Sequence, residues 1–398
     1  MTTAAPFYRN RIGSIDLLRG IVMVIMAIDH TRDFLHNDAI RHDPLDLATT
    51  TPLLYFTRWI THFCAPTFVM LAGVSAYLVG LRKSKNELSG FLIKRGAWLI
   101  LVEVLIVSLG ITFDPLYHAF ILQVIWAIGA SLIVLGLAVR LPYKAIFAIG
   151  CAILLLHNLL DYPEAERQGN LGFVWDLFHS GRFSAYQYLP NHFLVIVYPL
   201  LPWFGIIMLG YCLGKIFEQT VTPEIRRRFL LLLGGGMILF FIVVRFLNGY
   251  GDPLHWSSQK DALYTFLSFM NVQKYPPSLM FTCATLGPAI IALGLLEGVK
   301  NRVASFFTVF GRVPFFYYVV HFYLIHIITV VVFFAQGYGM KDLLPVGGPP
   351  ILFRATDLGF GLGGVYLIWA LLIFALYPIC KWYNNYKSVH AQWWLSYV

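Results

Sequence analysis

Charge is scarce in this chain. Only 12% of its 398 residues are charged, about half the share of a soluble domain. The five cysteines, Cys64, Cys151, Cys212, Cys283 and Cys380, form no CxxC and no Cys/His spacing of the zinc type. That argues against a disulfide framework and a structural metal, and no metal is expected. Walker, GxGxxG, GxSxG and HExxH motifs are missing, which removes support for ATP-driven transport and serine hydrolysis. Internal repeats, low-complexity segments and soluble domains are missing too. The net charge of +9 comes without a basic, aromatic-interleaved surface motif, so nucleic acid is not an expected partner.

Apolar sequence is abundant instead. The hydrophobic fraction is 58% and the mean hydropathy +0.70. No water-soluble fold hides that much, so the chain reads as an all-α integral membrane protein. Ten apolar runs are legible: Ile15 to Leu35, Tyr55 to Leu81, Phe91 to Thr112, Tyr117 to Val139, Tyr143 to Leu160, His192 to Phe217, Phe229 to Leu247, Pro277 to Leu296, Val313 to Phe334 and Phe360 to Lys381. A short amphipathic piece precedes the ninth. Most reach the roughly 20 residues a bilayer requires. A polytopic bundle of about ten transmembrane helices follows, in one membrane-embedded domain over 1–398.

Loop charge orients the bundle. Arg9 and Arg11, the loops around Arg82 to Arg95, Arg140 and Lys144, Lys215 to Arg228, and Lys300 to Arg312, with Lys381 and Lys387, hold most of the basic residues. The alternate loops hold far fewer, among them Arg41, Arg58, Arg167, Arg182, Lys260, Lys341 and Arg354. Both termini are therefore expected in the cytoplasm. The first helix has no small-residue cleavage site after it and reads as uncleaved. The outer connections, 36–54, 161–191, 248–276 and 336–359, are long and chemically mixed, as binding loops are.

Polar groups at membrane depth are the functional candidates. The first helix carries Asp16, Arg19, Asp29, His30, Arg32 and Asp33. Arg19 and His30 are eleven residues apart, so they share a stripe and lie about 16 Å apart along the axis. That suits a cationic anchor at one level and a proton-transfer group at another, with Asp29 or Asp33 orienting the imidazole. The alternative is an interfacial helix end in which Arg19 pairs with Asp16 and snorkels to the surface. His62 stands before Pro66, which frees a backbone carbonyl near it; a satisfied interfacial histidine is the other reading. Tyr317, Tyr318 and His321 share one helix face, whereas His326 points elsewhere. Lys274 and Tyr275 sit on the rigid entry Lys274-Tyr275-Pro276-Pro277, which serves either as a cap or as a lid over a cavity.

Four of these pieces, Ser14 to Gly20, His62 to Gly73, Lys274 to Ser278 and Gly311 to His326, together resemble bacterial membrane proteins related to heparan-α-glucosaminide N-acetyltransferase, of a transmembrane acyltransferase superfamily. The Arg19-to-His30 spacing is also similar to a branch that O-acylates surface glycans. The resemblance implies transfer of an acyl group, usually acetyl, from cytoplasmic acyl-CoA to a hydroxyl or amine of an extracytoplasmic acceptor such as a sugar or glycan. It implies a bacterial inner-membrane, multi-pass enzyme in contact with lipid, and a homodimer is compatible with it. Acyl-CoA is the donor and a histidine the base or acylated nucleophile. In the family the reactive histidine falls in the loop after the first helix, where this chain offers His36 and His42. The base therefore stands among His30, His36, His42 and His62, with His30 favoured by its depth and stripe and assisted by Asp29 or Asp33. Arg19, Arg95 and Arg312 are candidates for the CoA phosphates. Arg32, Lys274, Tyr275, Tyr318 and His321 are candidates for the acceptor side. A proton-coupled transporter or exporter is the second reading, and a membrane sensor without turnover the third.

Overall fold

The structure is a computed structural model. It describes residues 11–166, 172–180, 183–344, 350–390, 392 and 395. Arg9, Arg167 and Arg182 of the loop-charge pattern lie outside the described residues.

Apolar runs become helices where they are long. In chain order the main helices begin with α1 (Gly13–Leu35), α2 (Pro52–Gly80) and α3 (Lys85–Val102), the last running on through a π-turn at Glu103–Val107. They continue with α4 (Val124–Ala138), α5 (Tyr143–Ala165), α6 (Leu201–Phe217) and α7 (Pro223–Leu247). Next come α8 (Ala262–Met270), α9 (Leu279–Leu295), α10 (Arg302–Arg312), α11 (Pro314–Ala335) and α12 (Leu362–Val389). Their starts carry ordinary signals: Ser84 and Glu87 form a capping box, and Thr222 and Asn301 cap α7 and α10.

Among the described residues, five helices are long and apolar enough to cross a membrane: α2, α5, α7, α11 and α12. Helices α4, α6 and α9 are shorter and apolar. The protein is thus mostly helical and membrane-type. On α7, Leu232, Leu239, Phe246 and Leu247 are all more than 60% exposed, a face suited to hydrocarbon rather than water.

Two expected helix starts are strands. Residues 117–122 and 192–200 were expected within the fourth and sixth helices, yet Ala119–Leu122 is β1 and His192–Ile196 is β3. With β2 (Ser184–Leu189) they form a three-stranded sheet in the order β1-β3-β2. Strands β3 and β1 are parallel, Phe193 opposite Ala119, and β2 and β3 are antiparallel, Tyr186 opposite Leu194. The β2–β3 turn runs through Pro190 to Asn191, whose φ of 61 is one that asparagine tolerates. Short β-branched and aromatic strands that abut an apolar helix merge with it in an apolar count, which is why the run was read as helix throughout.

The described residues form two compact units, one drawn from 11–42 and 292 onward and the other from 43–291. In the first, α1 packs on α10, α11 and α12. A Cβ on Gly20 would lie 1.9 Å from the Phe307 carbonyl oxygen, and one on Gly311 1.8 Å from that of Asp16. These helices therefore cross backbone to backbone, as small residues permit in membranes. The C-terminal end of α1 is finished by Arg354, which is 1% exposed and donates to the carbonyls of Asp33, His36, Ala355 and Leu358. In the second unit, close approaches at Gly73 and Gly210 join α2 to α6, and others at Gly96 and Gly129 join α3 to α4.

Candidate active site

The first unit gathers most of the candidate residues on α1, α10 and α11. At the start of α1, Asp16 is surrounded by three arginines. Its carboxylate lies 3.7 Å from Arg11, 3.4 Å from Arg19 and 4.0 Å from Arg312. Arg19 also donates to the Gly311 carbonyl at 3.4 Å. The pairing of Arg19 with Asp16 is thus present, but one carboxylate shared by three guanidiniums leaves a net positive cluster, a setting that suits phosphate. Arg11 had figured only as loop charge.

About four turns further along α1, Arg32 donates to Asp29 at 2.8 Å and to Asp33 at 2.6 Å. Both carboxylates expected to orient His30 are therefore engaged with Arg32, which is 3% exposed. The partner shown for the His30 imidazole is a second histidine: Nδ1 of His30 lies 2.7 Å from Nε2 of His321 on α11. The rings stack with centroids 5.0 Å apart, and Phe322 covers His30 at 4.3 Å. Tyr318 presents its ring edge-on to His30 at 6.3 Å.

This contact assigns protons. Nδ1 of His321 lies 2.5 Å from the Tyr318 carbonyl oxygen and 3.2 Å from that of Tyr317. A carbonyl only accepts, so Nδ1 of His321 carries the hydrogen and its Nε2 carries the lone pair. In the neutral pair, Nδ1 of His30 must then donate to His321. The lone pair of His30 is left on Nε2.

The neighbouring histidines differ. His36 bonds through its backbone, its nitrogen donating to the Arg32 carbonyl and its carbonyl accepting from Arg354. Burial, then the Arg32 charge, holds the His36 imidazole below its ordinary range. His42 is exposed and pairs with Asp38 at 2.8 Å.

The other candidates belong to the second unit. His62 is 1% exposed in a 3-10 turn before Pro66, tilted against Phe281 at 5.3 Å. Lys274 is buried with Nζ 5.1 Å from the centre of the Tyr275 ring, which itself packs edge-on to Phe183 and Tyr198. This entry loop is anchored by Asp252, which accepts from Ser278 Oγ at 2.6 Å and from the Gln273 nitrogen at 3.0 Å. Burial pushes the Asp252 carboxyl up to about 6, against the pull of Arg245. Arg245 donates to four carbonyls around the loop, of Phe269, Leu254, Ser268 and Asn271. Arg95 is half-buried on α3.

Sequence reasoning passed over two further groups here. Glu103 is fully buried in the π-turn and accepts from the Gln123 nitrogen at 2.9 Å, capping α4 from a distance. Its signal was a lone acid inside an apolar run. Buried His157, Glu164 and His179 cluster with half-buried Asp161, and His157, Asp161 and Glu164 recur at i, i+4 and i+7. That spacing places them on one helix face.

Histidines and arginines buried and hydrogen-bonded in an apolar helical chain are the groups where a membrane protein's function is sought. The chain matches the family model described as heparan-alpha-glucosaminide N-acetyltransferase, catalytic, over residues 11–244, more than half its length, and belongs to that family. Membership implies membrane N-acetyltransferase activity in general terms. The matched segment includes Arg19, His30, His62 and Arg95 and ends before Lys274 and His321. A search of curated proteins returns no match.

Proposed function

We propose that the protein transfers an acyl group, acetyl in the first instance, from cytoplasmic acyl-CoA to a hydroxyl or amine of a sugar or glycan acceptor outside the cytoplasm. In this reading the ten apolar runs are ten crossings of a bacterial inner membrane with both termini cytoplasmic. The observation that carries it is the Tyr318 carbonyl–His321–His30 relay, which fixes the lone pair of His30 on Nε2. His30 is the base. Its Nε2 takes the proton of the acceptor O–H or N–H as that atom attacks the thioester carbonyl. The C–S bond breaks, and the departing CoA thiolate receives the proton back from His30. His321 acts through His30, holding the ring in the productive tautomer. Asp29, Asp33 and Arg32 form an ion triad beside the base that meets the acceptor. Tyr318 lines the same face. The Arg11, Arg19 and Arg312 cluster takes the CoA phosphates about 16 Å further down α1, a span the pantetheine arm covers.

The test uses the full chain in detergent or liposomes with acetyl-CoA and a panel of amino sugars and glycans, reading CoA release and calorimetric acetyl-CoA binding. Acceptor-stimulated CoA release is expected, lost in His30→Ala, with weaker acetyl-CoA binding in Arg19→Ala. Full release by His30→Ala removes His30 from the reaction. No saturable acetyl-CoA binding at millimolar concentration moves the chain to the transporter reading.

A further inference from the structure

A largely buried titratable cluster at the end of α5, in the second unit, takes no part in acyl transfer. We propose that Asp161, Glu164 and His179 bind one divalent transition-metal ion of the zinc class. Their donor atoms all lie within 4.8 Å of one another. Bonds of about 2.0–2.2 Å to such an ion set neighbouring donors roughly 3–3.6 Å apart, within small side-chain adjustments of this arrangement. One imidazole and two carboxylates suit zinc, and the imidazole disfavours magnesium and calcium. The donors come from two segments, the last turns of α5 and the π-turn Asp176–Ser180, so an ion there would tie one to the other.

Each donor already has an outer partner of the kind that orients metal ligands. Asn158 donates to Asp161 at 2.7 Å, and the Trp175 indole donates to Glu164 at 2.7 Å. His179, 1% exposed, has Nδ1 2.6 Å from Glu164 and Nε2 3.2 Å from Nδ1 of His157. Such outer partners fix ring tautomer and ligand angle. His157 beside it is 3% exposed, and its Nε2 has no hydrogen-bond partner among the described residues. That nitrogen gives the proton displaced from His179 a place to go. With the ion on Nδ1 of His179, Nε2–H of His179 donates to Nδ1 of His157, and the proton of His157 moves to its own Nε2. Both histidines stay neutral and no proton is lost.

The test uses the full chain in detergent, stripped with a chelator and dialysed, then titrated with cobalt(II) and zinc(II). One equivalent of zinc per chain by elemental analysis, cobalt d–d absorption that zinc abolishes, and a higher unfolding temperature with zinc are expected. His179→Ala and Glu164→Gln lose all three. Asn158→Ala and Trp175→Phe weaken zinc by about 10–100-fold. The proposal is overturned by a wild-type chain that takes up less than one saturable equivalent, or by one equivalent retained in His179→Ala. Should the ligand variants fail to fold, the wild-type titration decides alone. None of these readouts depends on acyl transfer.

Discussion

In the first unit a backbone carbonyl stands behind the histidine pair; in the second a carboxylate does. The chains of contact are otherwise alike. Tyr318 O, His321 and His30 follow one another at 2.5 and 2.7 Å, and Glu164, His179 and His157 at 2.6 and 3.2 Å. In both, the anchor dictates the tautomer of the first imidazole, which dictates that of the second. The difference lies in what happens to positive charge. A carbonyl orients an imidazole and supplies only a dipole, which under the proposed mechanism suits a histidine that takes a proton and returns it. A carboxylate supplies a full charge and stabilises a cation held in place. The first pair is thus suited to proton transfer and the second to holding an ion.

The widest separation between the pairs is expected in catalysis. His30→Ala should reduce acyl transfer by about 10²–10⁴-fold, the worth of a positioned base. His321→Ala should cost less, and His321→Gln should recover part of it, because an amide oxygen can accept from Nδ1 of His30. His157→Phe should change kcat less than tenfold. Equal losses at His30 and His157 would erase the distinction drawn between the two pairs.

The next effect is on the scaffold of the first pair. Gly311→Ala puts a methyl group against the Asp16 carbonyl, and no flexible side chain is there to yield. A cost above about 3 kcal/mol is expected, read as loss of folded protein in a detergent stability assay. The exposed-side change Gly363→Ala, which meets nothing within 4 Å, serves as control. Smaller again is Arg354→Met, expected to cost about 2–3 kcal/mol because it strands carbonyls at the end of α1 that the guanidinium now satisfies. Unchanged thermal unfolding would mean that water replaces the guanidinium there.

How much of this was legible follows from where each signal lay. Long helices announce themselves because a bilayer demands long apolar runs. Strands β1 and β3 did not, since four or five apolar residues abutting an apolar helix carry no period of their own. Arg19, His30 and His321 stood out as polar residues in apolar surroundings. The contact between His30 and His321 spans 291 residues, and nothing local encodes it. Glu164 and His179 were hidden by a polar loop composition, although the spacing His157, Asp161, Glu164 was on the page. Arg354 read as a loop charge, because folding back onto the end of α1 is a tertiary event.

The smallest effect expected concerns His36, which sits at the end of α1 six residues beyond His30. Burial and the charges of Arg32 and Arg354 hold its imidazole below the ordinary 6.5, against a weaker pull from Asp38. The unfolded chain therefore takes up a proton near 6.5 that the folded chain refuses. Where the unfolded state binds more protons, stability rises with pH. The His36 contribution is complete above 6.5 and is lost as pH falls from there toward the folded value. For one such group the expected shift in unfolding temperature between pH 7 and pH 5.5 is at most about 2 °C. His36→Gln, which cannot titrate, should remove that part of the slope. A slope unchanged in His36→Gln would assign the acid sensitivity to another group and leave His36 open as a proton acceptor beside His30.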